Sequence, residues 1–170
     1  MGLANYFCNM LEAFAPIVDK NSRILILGTM PGERSLQLQQ YYGHSGNHFW
    51  KILFALFNQP FSTDYNERIN LLKENNIALW DVLSHCERTG SSDSAINNEI
   101  ANDFKLFYNK HPKISAVFLD SLTAEKLYVK HVGKSPDKRY YLLPSPSGQH
   151  ARLSLQDKIE RWRVIMDELK

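Results

Sequence analysis

Residues 23–32 read RILILGTMPG, an unbroken apolar run that ends in a glycine-rich loop. An apolar run without polar alternation predicts a strand buried on both faces, as in a parallel sheet. Three later runs have the same character, namely 76–83 (NIALWDVL), 114–119 (ISAVFL) and 139–143 (RYYLL). Helical patterns lie between and after them, at 47–58, 67–75, 94–109, 121–132 and 154–169. This alternation predicts an α/β fold, a three-layer sandwich with a central four-stranded parallel sheet.

Capping residues mark the starts of two of these helices. Ser154 is followed three residues later by Asp157, an acidic variant of the capping box. Asp93 and Ser94 are candidate caps for the helix predicted at 94–109. The N-terminal segment additionally predicts an amphipathic helix from about residue 6 to Pro16.

Length and composition restrict the class of protein. A chain of 170 residues predicts one domain over 1–170, and 44% hydrophobic with 22% charged residues excludes a fibrous or disordered chain. Two cysteines, Cys8 and Cys86, are too few for an iron–sulfur cluster or a disulfide scaffold, so we expect a reduced cytoplasmic protein. No apolar run approaches the ~20 residues that span a bilayer. Residues 1–20 lack the basic start of a signal peptide, and we expect no membrane partner.

Charge is unevenly distributed along the chain. Residues 1–104 carry a net charge of −4 and residues 105–170 a net charge of +6. This asymmetry indicates an anionic partner for the C-terminal half. Solvated basic side chains would give the same pattern.

Three loops follow the carboxyl ends of predicted strands, where open α/β sheets bind their ligands. They are residues 29–46, 85–93 and 144–151. In the first, Gly28 and Gly32 stand on either side of Pro31, so that backbone can come close to a ligand. Tyr41 and Tyr42 offer flat faces to a planar group.

Two polar segments at these loops each have two interpretations. Asn47 begins a predicted helix ahead of the core candidates Phe49 and Trp50, and could be a functional residue or only an N-cap. Pro144 and Pro146 stiffen a projection of small polar residues, which could also be an ordinary strand-to-helix turn.

Taken together in order, the segments resemble the uracil-DNA glycosylase superfamily. The matching segments are GTMPG at 28–32, GNHFWK at 46–51, WDVLSHCERTGSSD at 80–93, PSPS at 144–147 and ARLSLQDKIERW at 151–162. The GTMPG, YY-x-H-x-x-N-x-FW and WDV segments with a later GS-x-D are most similar to its hypoxanthine-DNA glycosylase branch. The mismatch-specific uracil and thymine glycosylases are a related branch.

The sequence departs from the superfamily pattern at important positions. The first motif usually carries a catalytic Asp or Asn where Met30 stands, and a thioether cannot orient or deprotonate water. Ser145 stands at the His or Asn position of the second motif, and Asp120 and Ser121 occur where a Gly is common. In the hypoxanthine branch, the resemblance implies, a downstream Asn takes over catalysis, and Asn47 is the matching position.

The resemblance implies a monofunctional DNA glycosylase without a cofactor, acting as a monomer on DNA that contains a deaminated or mismatched base. The catalytic candidate is Asn47. The base-binding candidates are Gly28, Thr29, Met30, Pro31, Gly32, Tyr42, Asp81 and Ser145. The DNA-binding candidates are Ser147, Gly148, Gln149, His150 and Arg152, with Gln149 as the wedge that fills the duplex.

Other chemistries fit the sequence less well. His44 and His48 could bind Zn²⁺, but Gly46 separates them and no third ligand is evident, so we expect no metal. Ser145 and Ser147 lack the Gly-x-Ser-x-Gly elbow of a serine hydrolase. Two alternatives remain open: a uracil or thymine mismatch glycosylase of the same fold, and a catalytically inactive DNA-binding module.

Overall fold

A computed structural model of the chain describes residues 10–150 and 152–170. Its central element is a four-stranded parallel sheet in the order β3-β2-β6-β7. The strands are β2 (Ile24–Gly28), β3 (Ile77–Asp81), β6 (Ala116–Leu119) and β7 (Arg139–Leu142). The predicted α/β class and the parallel sheet are therefore confirmed.

Helices cover both faces of this sheet, as side-chain alternation along β2 requires. The helices are α1 (Glu33–Leu38), α2 (Phe49–Leu56), α3 (Tyr65–Glu74), α4 (Phe104–Lys110), α5 (Leu122–His131), α6 (Leu155–Trp162) and α7 (Val164–Glu168). Ile24 and Ile26 pack in one hydrophobic cluster with α2, α3, α6 and α7. Leu25 and Leu27 pack in a second cluster with α4 and α5.

A second, antiparallel sheet was not predicted. It consists of β1 (Leu11–Glu12), β4 (Leu83–Glu87) and β5 (Asn97–Ala101), in the order β1-β4-β5. The predicted strand 76–83 is thus divided at Val82, after which the chain turns into the other sheet.

The helix predicted at 94–109 is wrong over its first ten residues. Asp93–Ala95 form one 3₁₀ turn, β5 pairs with β4, and α4 begins only at Phe104, capped by Asp103. Asn102 fastens this segment, because its amide donates to the Asp81 and Leu83 carbonyl oxygens at 2.8 and 3.1 Å. Pairing with a neighbouring strand overrides local helix propensity here.

The predictions at the two ends of the chain have mixed outcomes. The N-terminal helix lies partly outside the described residues, and its described part is wrong, since Leu11 pairs with Cys86 in the small sheet. The capping box of Ser154 and Asp157 is confirmed, although the helix that it starts is divided at Arg163 into α6 and α7. Among the described residues, no helix combines the length and apolarity that a membrane crossing requires.

Candidate active site

A pocket of about 1240 Å³ opens at the carboxyl edge of the parallel sheet. Its lining includes all but one of the residues predicted for the site: Gly28, Thr29, Met30, Pro31, Gly32, Tyr42, Asn47, Asp81, Ser145, Ser147, Gly148, Gln149 and His150. The exception is Arg152, which is exposed and does not line the pocket. Four separate segments of the sequence thus meet at one place.

Gly28 lies at the centre of the pocket floor. A Cβ atom at this position would lie 2.6 Å from Asp81 Oδ1, 2.9 Å from the Tyr42 hydroxyl and 3.4 Å from Asp120 Oδ2. Because the first two distances are too short for a methyl group, only glycine allows Asp81 and the Tyr42 hydroxyl to approach the strand end this closely.

Two buried carboxyl groups flank Gly28. Asp81 lies beside Gly28 because the two residues pair across β3 and β2. Asp120 comes directly after the last residue of β6. Burial, reinforced by the charge of Asp120, raises the pKa of Asp81 well above its usual value. Burial also raises the pKa of Asp120 to about 7, opposed by the hydrogen bond from Tyr42.

The Asp120 contribution was missed in the sequence, where the residue counted only as a departure from the family pattern. The signal that could have found it is its position, because an acidic residue immediately after a buried parallel strand lies at the ligand-binding edge.

Tyr42 is held rigidly between the floor and helix α2. Its hydroxyl donates to Asp120 Oδ2 at 2.6 Å, and its ring stacks on Phe49 with centroids 3.8 Å apart and planes 7° from parallel. Its φ of +50° is unusual for a residue with a side chain. One ring face is thus occupied by Phe49, and Tyr42 also lines the pocket.

Tyr41 instead belongs to the core. It is 3% exposed, its hydroxyl donates to the Ala15 carbonyl at 2.8 Å, and its own carbonyl accepts from the Trp50 indole at 2.9 Å. Both tyrosines that were predicted to offer flat faces line the pocket, but Tyr41 is buried and only Tyr42 is partly exposed.

Asn47 bonds to the first turn of α2 as a capping side chain would, and its functional interpretation stays a prediction. Its Oδ1 accepts a hydrogen bond from the Phe49 amide at 2.9 Å, which fixes the side chain at the start of α2. An amide oxygen has two lone pairs, so the same atom can accept a second hydrogen bond from a water molecule in the pocket. Met30, also in the lining, is 7% exposed and packs in the apolar cluster of Leu27.

The third loop is tied to the first by a buried lysine on α6. Lys158 is fully buried, its Nζ donates to the Ser147 carbonyl at 2.8 Å, and it lies 3.4 Å from His48 Nδ1. The His48 amide donates to the Pro146 carbonyl at 2.8 Å. Among the described residues, no carboxylate lies within ion-pair distance of Lys158.

Close backbone contact completes this junction of loops. A side chain at Gly148 would collide with the Gly46 carbonyl oxygen. Burial lowers the pKa of Lys158, and burial together with Lys158 lowers the pKa of His48. The loops therefore form one unit rather than two independent segments.

The second loop is fastened to the first by Arg88. Its guanidinium donates to the Pro31 carbonyl at 2.5 Å and to the Gly90 carbonyl at 2.9 Å. The Ser91 hydroxyl accepts from the Glu33 amide at 2.9 Å. These bonds fix residues 31–33 of the first loop to the second loop.

The rim of the pocket presents exposed polar and cationic groups. Gly148, Gln149 and His150 are exposed at the tip of the third loop, whose base is fixed by a 2.9 Å hydrogen bond from the Trp162 indole to the Pro144 carbonyl. Arg161, on α6, lines the pocket and was missed in the sequence, because only the packing of α6 against α2 brings it there.

Metal ligands are not assembled in the described part of the chain. It contains no group of three or more His, Cys, Asp or Glu side chains able to hold a metal ion. His44 Nδ1 accepts from the Gly46 amide at 3.0 Å, and His48 Nδ1 faces Lys158.

Comparisons with known proteins agree with the family motifs. Residues 15–167 match the Uracil DNA glycosylase superfamily. The chain is 38% identical over 152 residues to a hypoxanthine DNA glycosylase of Methanosarcina barkeri, covering 89% of this chain and 94% of the relative. It is 33% identical over 155 residues to a protein of the same name from Methanosarcina acetivorans, covering 91% and 96%.

A solved structure resembles the fold over nearly its whole length. It is an NMR solution structure of a proposed uracil DNA glycosylase from Methanosarcina acetivorans, with a TM-score of 0.79 and 32% sequence identity. The match covers 94% of this chain and 98% of that protein.

Replacing Lys158 tests whether it couples the two loops. Exchanging a buried charge for an apolar group of similar volume is often close to neutral for stability, so Lys158→Met should melt near the wild-type temperature. The variant loses the hydrogen bond from Lys158 to the Ser147 carbonyl, worth about 1 kcal/mol. The third loop should then open about fivefold more often, so hydrogen exchange at the His48 amide, which bonds to the Pro146 carbonyl, should be about fivefold faster. Lys126→Met, at an exposed site on α5, is the control. Unchanged exchange at His48 in Lys158→Met would show that the loops are held independently.

Proposed function

The chain belongs to the uracil DNA glycosylase superfamily, and from this membership we propose that it is a monofunctional DNA glycosylase that removes hypoxanthine from DNA. In this proposal the enzyme extrudes a deaminated base from the duplex and hydrolyses its N-glycosidic bond, as in base excision repair. It needs no cofactor, and it acts as a monomer in the cytoplasm.

The observation that carries the proposal is the pocket floor around Gly28. An extruded base requires a flat recess with one aromatic wall and polar groups at its edge. Tyr42 supplies the aromatic face, and the 28–32 backbone and Asp81 supply the polar edge. Asn47 stands on the pocket wall, fixed by its bond to the Phe49 amide.

Hydrolysis in this pocket depends on positioning rather than on a strong nucleophile. Departure of the base leaves an oxocarbenium-like sugar, so placement of a water molecule and local electrostatics stabilise the transition state. The free lone pair of Asn47 Oδ1 can hold that water against the sugar. Met30 has no group that could do so, and the resemblance to the hypoxanthine-DNA glycosylase branch assigns this role to Asn47.

The rim suits a duplex with one base extruded. The tip at 148–150 is exposed while its base is fixed by Trp162 and Lys158, so the tip can press into the duplex without collapsing. The proposal assigns Gln149 to the hole left by the extruded base. Arg161 and Arg152 are exposed cations suited to the phosphate backbone, consistent with the positive C-terminal half.

One assay separates this proposal from its alternatives. The protein is incubated with duplexes that contain deoxyinosine, uracil opposite guanine or no lesion, and abasic sites are cleaved with alkali. Strand breaks only at deoxyinosine support the proposal. Breaks at uracil indicate the mismatch glycosylase. DNA binding without breaks indicates the catalytically inactive DNA-binding module, an alternative considered because Met30 stands at the usual catalytic position.

Asn47 is the first residue to test. Asn47→Ala should slow single-turnover release of hypoxanthine by at least ~100-fold, the scale for losing one positioned catalytic group. Asn47→Ser keeps a good helix-capping side chain but is too short to hold the water, so it should be as slow as Asn47→Ala while melting like the wild type. Wild-type turnover in both folded variants would remove Asn47 from the mechanism.

Gln149 tests base extrusion itself. Gln149→Ala should slow action on duplex deoxyinosine while leaving single-stranded substrate nearly unaffected, because only a duplex has a hole to fill. Gln156→Ala, at an exposed site on α6 outside the pocket, is the matched control. Equal loss on both substrates would place Gln149 in the pocket rather than in the duplex.

The two candidate phosphate-binding arginines, Arg152 and Arg161, are tested by salt dependence. DNA affinity should fall linearly on a log–log plot against salt, with a slope set by the number of phosphates contacted. Removing a phosphate contact should reduce that slope by about one, so Arg161→Ala and Arg152→Ala each report one candidate contact. Arg163, paired with Glu160 at 3.0 Å, is the control arginine. If a variant has the same slope as Arg163→Ala, the replaced arginine does not contact a phosphate.

A further inference from the structure

Asp81, on the pocket floor, has a buried carboxyl oxygen without a hydrogen bond. The residue is 4% exposed, and its Oδ2 has no hydrogen-bond partner among the described residues. Leaving a buried polar atom unpaired costs free energy, so such an atom requires an explanation. Asp120, the neighbouring carboxyl, differs because its Oδ2 accepts from Tyr42 at 2.6 Å.

The groups around Asp81 favour a carboxyl that keeps its proton. Asp120 and Asp93 place negative charge near it, whereas Arg88 is the opposing cation. Arg88 directs its Nε and Nη2 at backbone carbonyls instead, and forms no ion pair with Asp81. Tyr41 and Tyr42, the remaining titratable groups facing it, are neutral phenols with raised pKa values.

The proposed reaction needs a proton at this place. A purine that departs as an anion is a poor leaving group. Protonation of one of its ring nitrogens while the bond to the sugar breaks lets it leave as a neutral base. Asn47 and Met30 carry no transferable proton, and the Tyr42 proton is committed to Asp120. Asp81 is the pocket-lining carboxyl beside Gly28 that remains free to act on the base.

We propose that Asp81 is the general acid of the reaction, donating its carboxyl proton to a ring nitrogen of the departing purine. This inference rests on the proposed function. The electron pair of the C1′–N bond moves to the base, which leaves as neutral hypoxanthine. The water held by Asn47 adds to C1′ and releases one proton to solvent, and solvent returns one proton to the Asp81 carboxylate.

Asp120 acts in this scheme as a positioning residue. Its side chain holds Tyr42 through the 2.6 Å hydrogen bond, and its negative charge favours the protonated form of Asp81. The second of these roles makes a prediction for the pH dependence.

The test is the pH profile of single-turnover hypoxanthine release. A general acid works when protonated, so the wild-type rate should be level at low pH and fall about tenfold per pH unit above the raised pKa of Asp81. Asp81→Asn, which keeps shape and polarity, should be at least ~100-fold slower and lose this alkaline fall. Asp120→Asn should move the fall to lower pH, because removing the neighbouring charge lowers the pKa of Asp81.

Substrate analogues locate the proton. In 7-deaza- and 3-deaza-deoxyinosine, a carbon replaces one candidate ring nitrogen. The analogue that lacks the accepting nitrogen should be released slowly by the wild type and lose little further rate in Asp81→Asn.

The outcomes distinguish this inference from the function on which it rests. If the wild type releases no hypoxanthine, the proposed function fails. If the wild type releases hypoxanthine and Asp81→Asn keeps the same rate and alkaline fall, the function stands and the general acid assignment is overturned.

Discussion

The architecture of the site depends on the empty space above the Cα atom of Gly28. Parallel pairing of β2 with β3 and β6 brings the strand ends of Gly28, Asp81 and Leu119 to one edge, and Asp120 follows immediately. A methyl group in that space would lie 2.6 Å from Asp81 and 2.9 Å from the Tyr42 hydroxyl. Asp81 and the Tyr42 hydroxyl can approach the strand end this closely only because the central strand ends in glycine. A floor of this shape suits the flat base of the proposed function and places titratable groups beside it.

The loops above this floor are held by a small number of buried bonds. Arg88 fixes the first loop to the second, and Lys158 fixes the third loop to the start of α2 beside Asn47. Both side chains donate to backbone carbonyls, so they position the chain without a carboxylate partner. Positioning of this kind suits a reaction in which electrostatics and a held water molecule matter more than a strong nucleophile.

The parallel sheet could be predicted from the sequence because its strands are continuous apolar runs, the pattern of strands that are buried on both faces. It failed at residues 94–103, where Asn102 and pairing with β4 decide the conformation through contacts distant in sequence. The candidate site residues on the loops came from the resemblance to the uracil-DNA glycosylase superfamily, and the structure brings all of them except Arg152 to one pocket. Arg161 escaped notice because only the packing of α6 brings it to the pocket, and Asp120 counted only as a departure from the family pattern. Arg152, predicted to bind DNA, lies outside the pocket lining, and its role stays a prediction.

The most direct test of the account is to measure free base released from a duplex with one deoxyinosine, by mass spectrometry, for the wild type and Gly28→Ala. The account predicts that the wild type releases hypoxanthine. It predicts that Gly28→Ala, checked for folding by circular dichroism, releases none while still binding DNA with wild-type salt dependence. Release by the folded Gly28→Ala variant at the wild-type rate, or no release by the wild type, would contradict it.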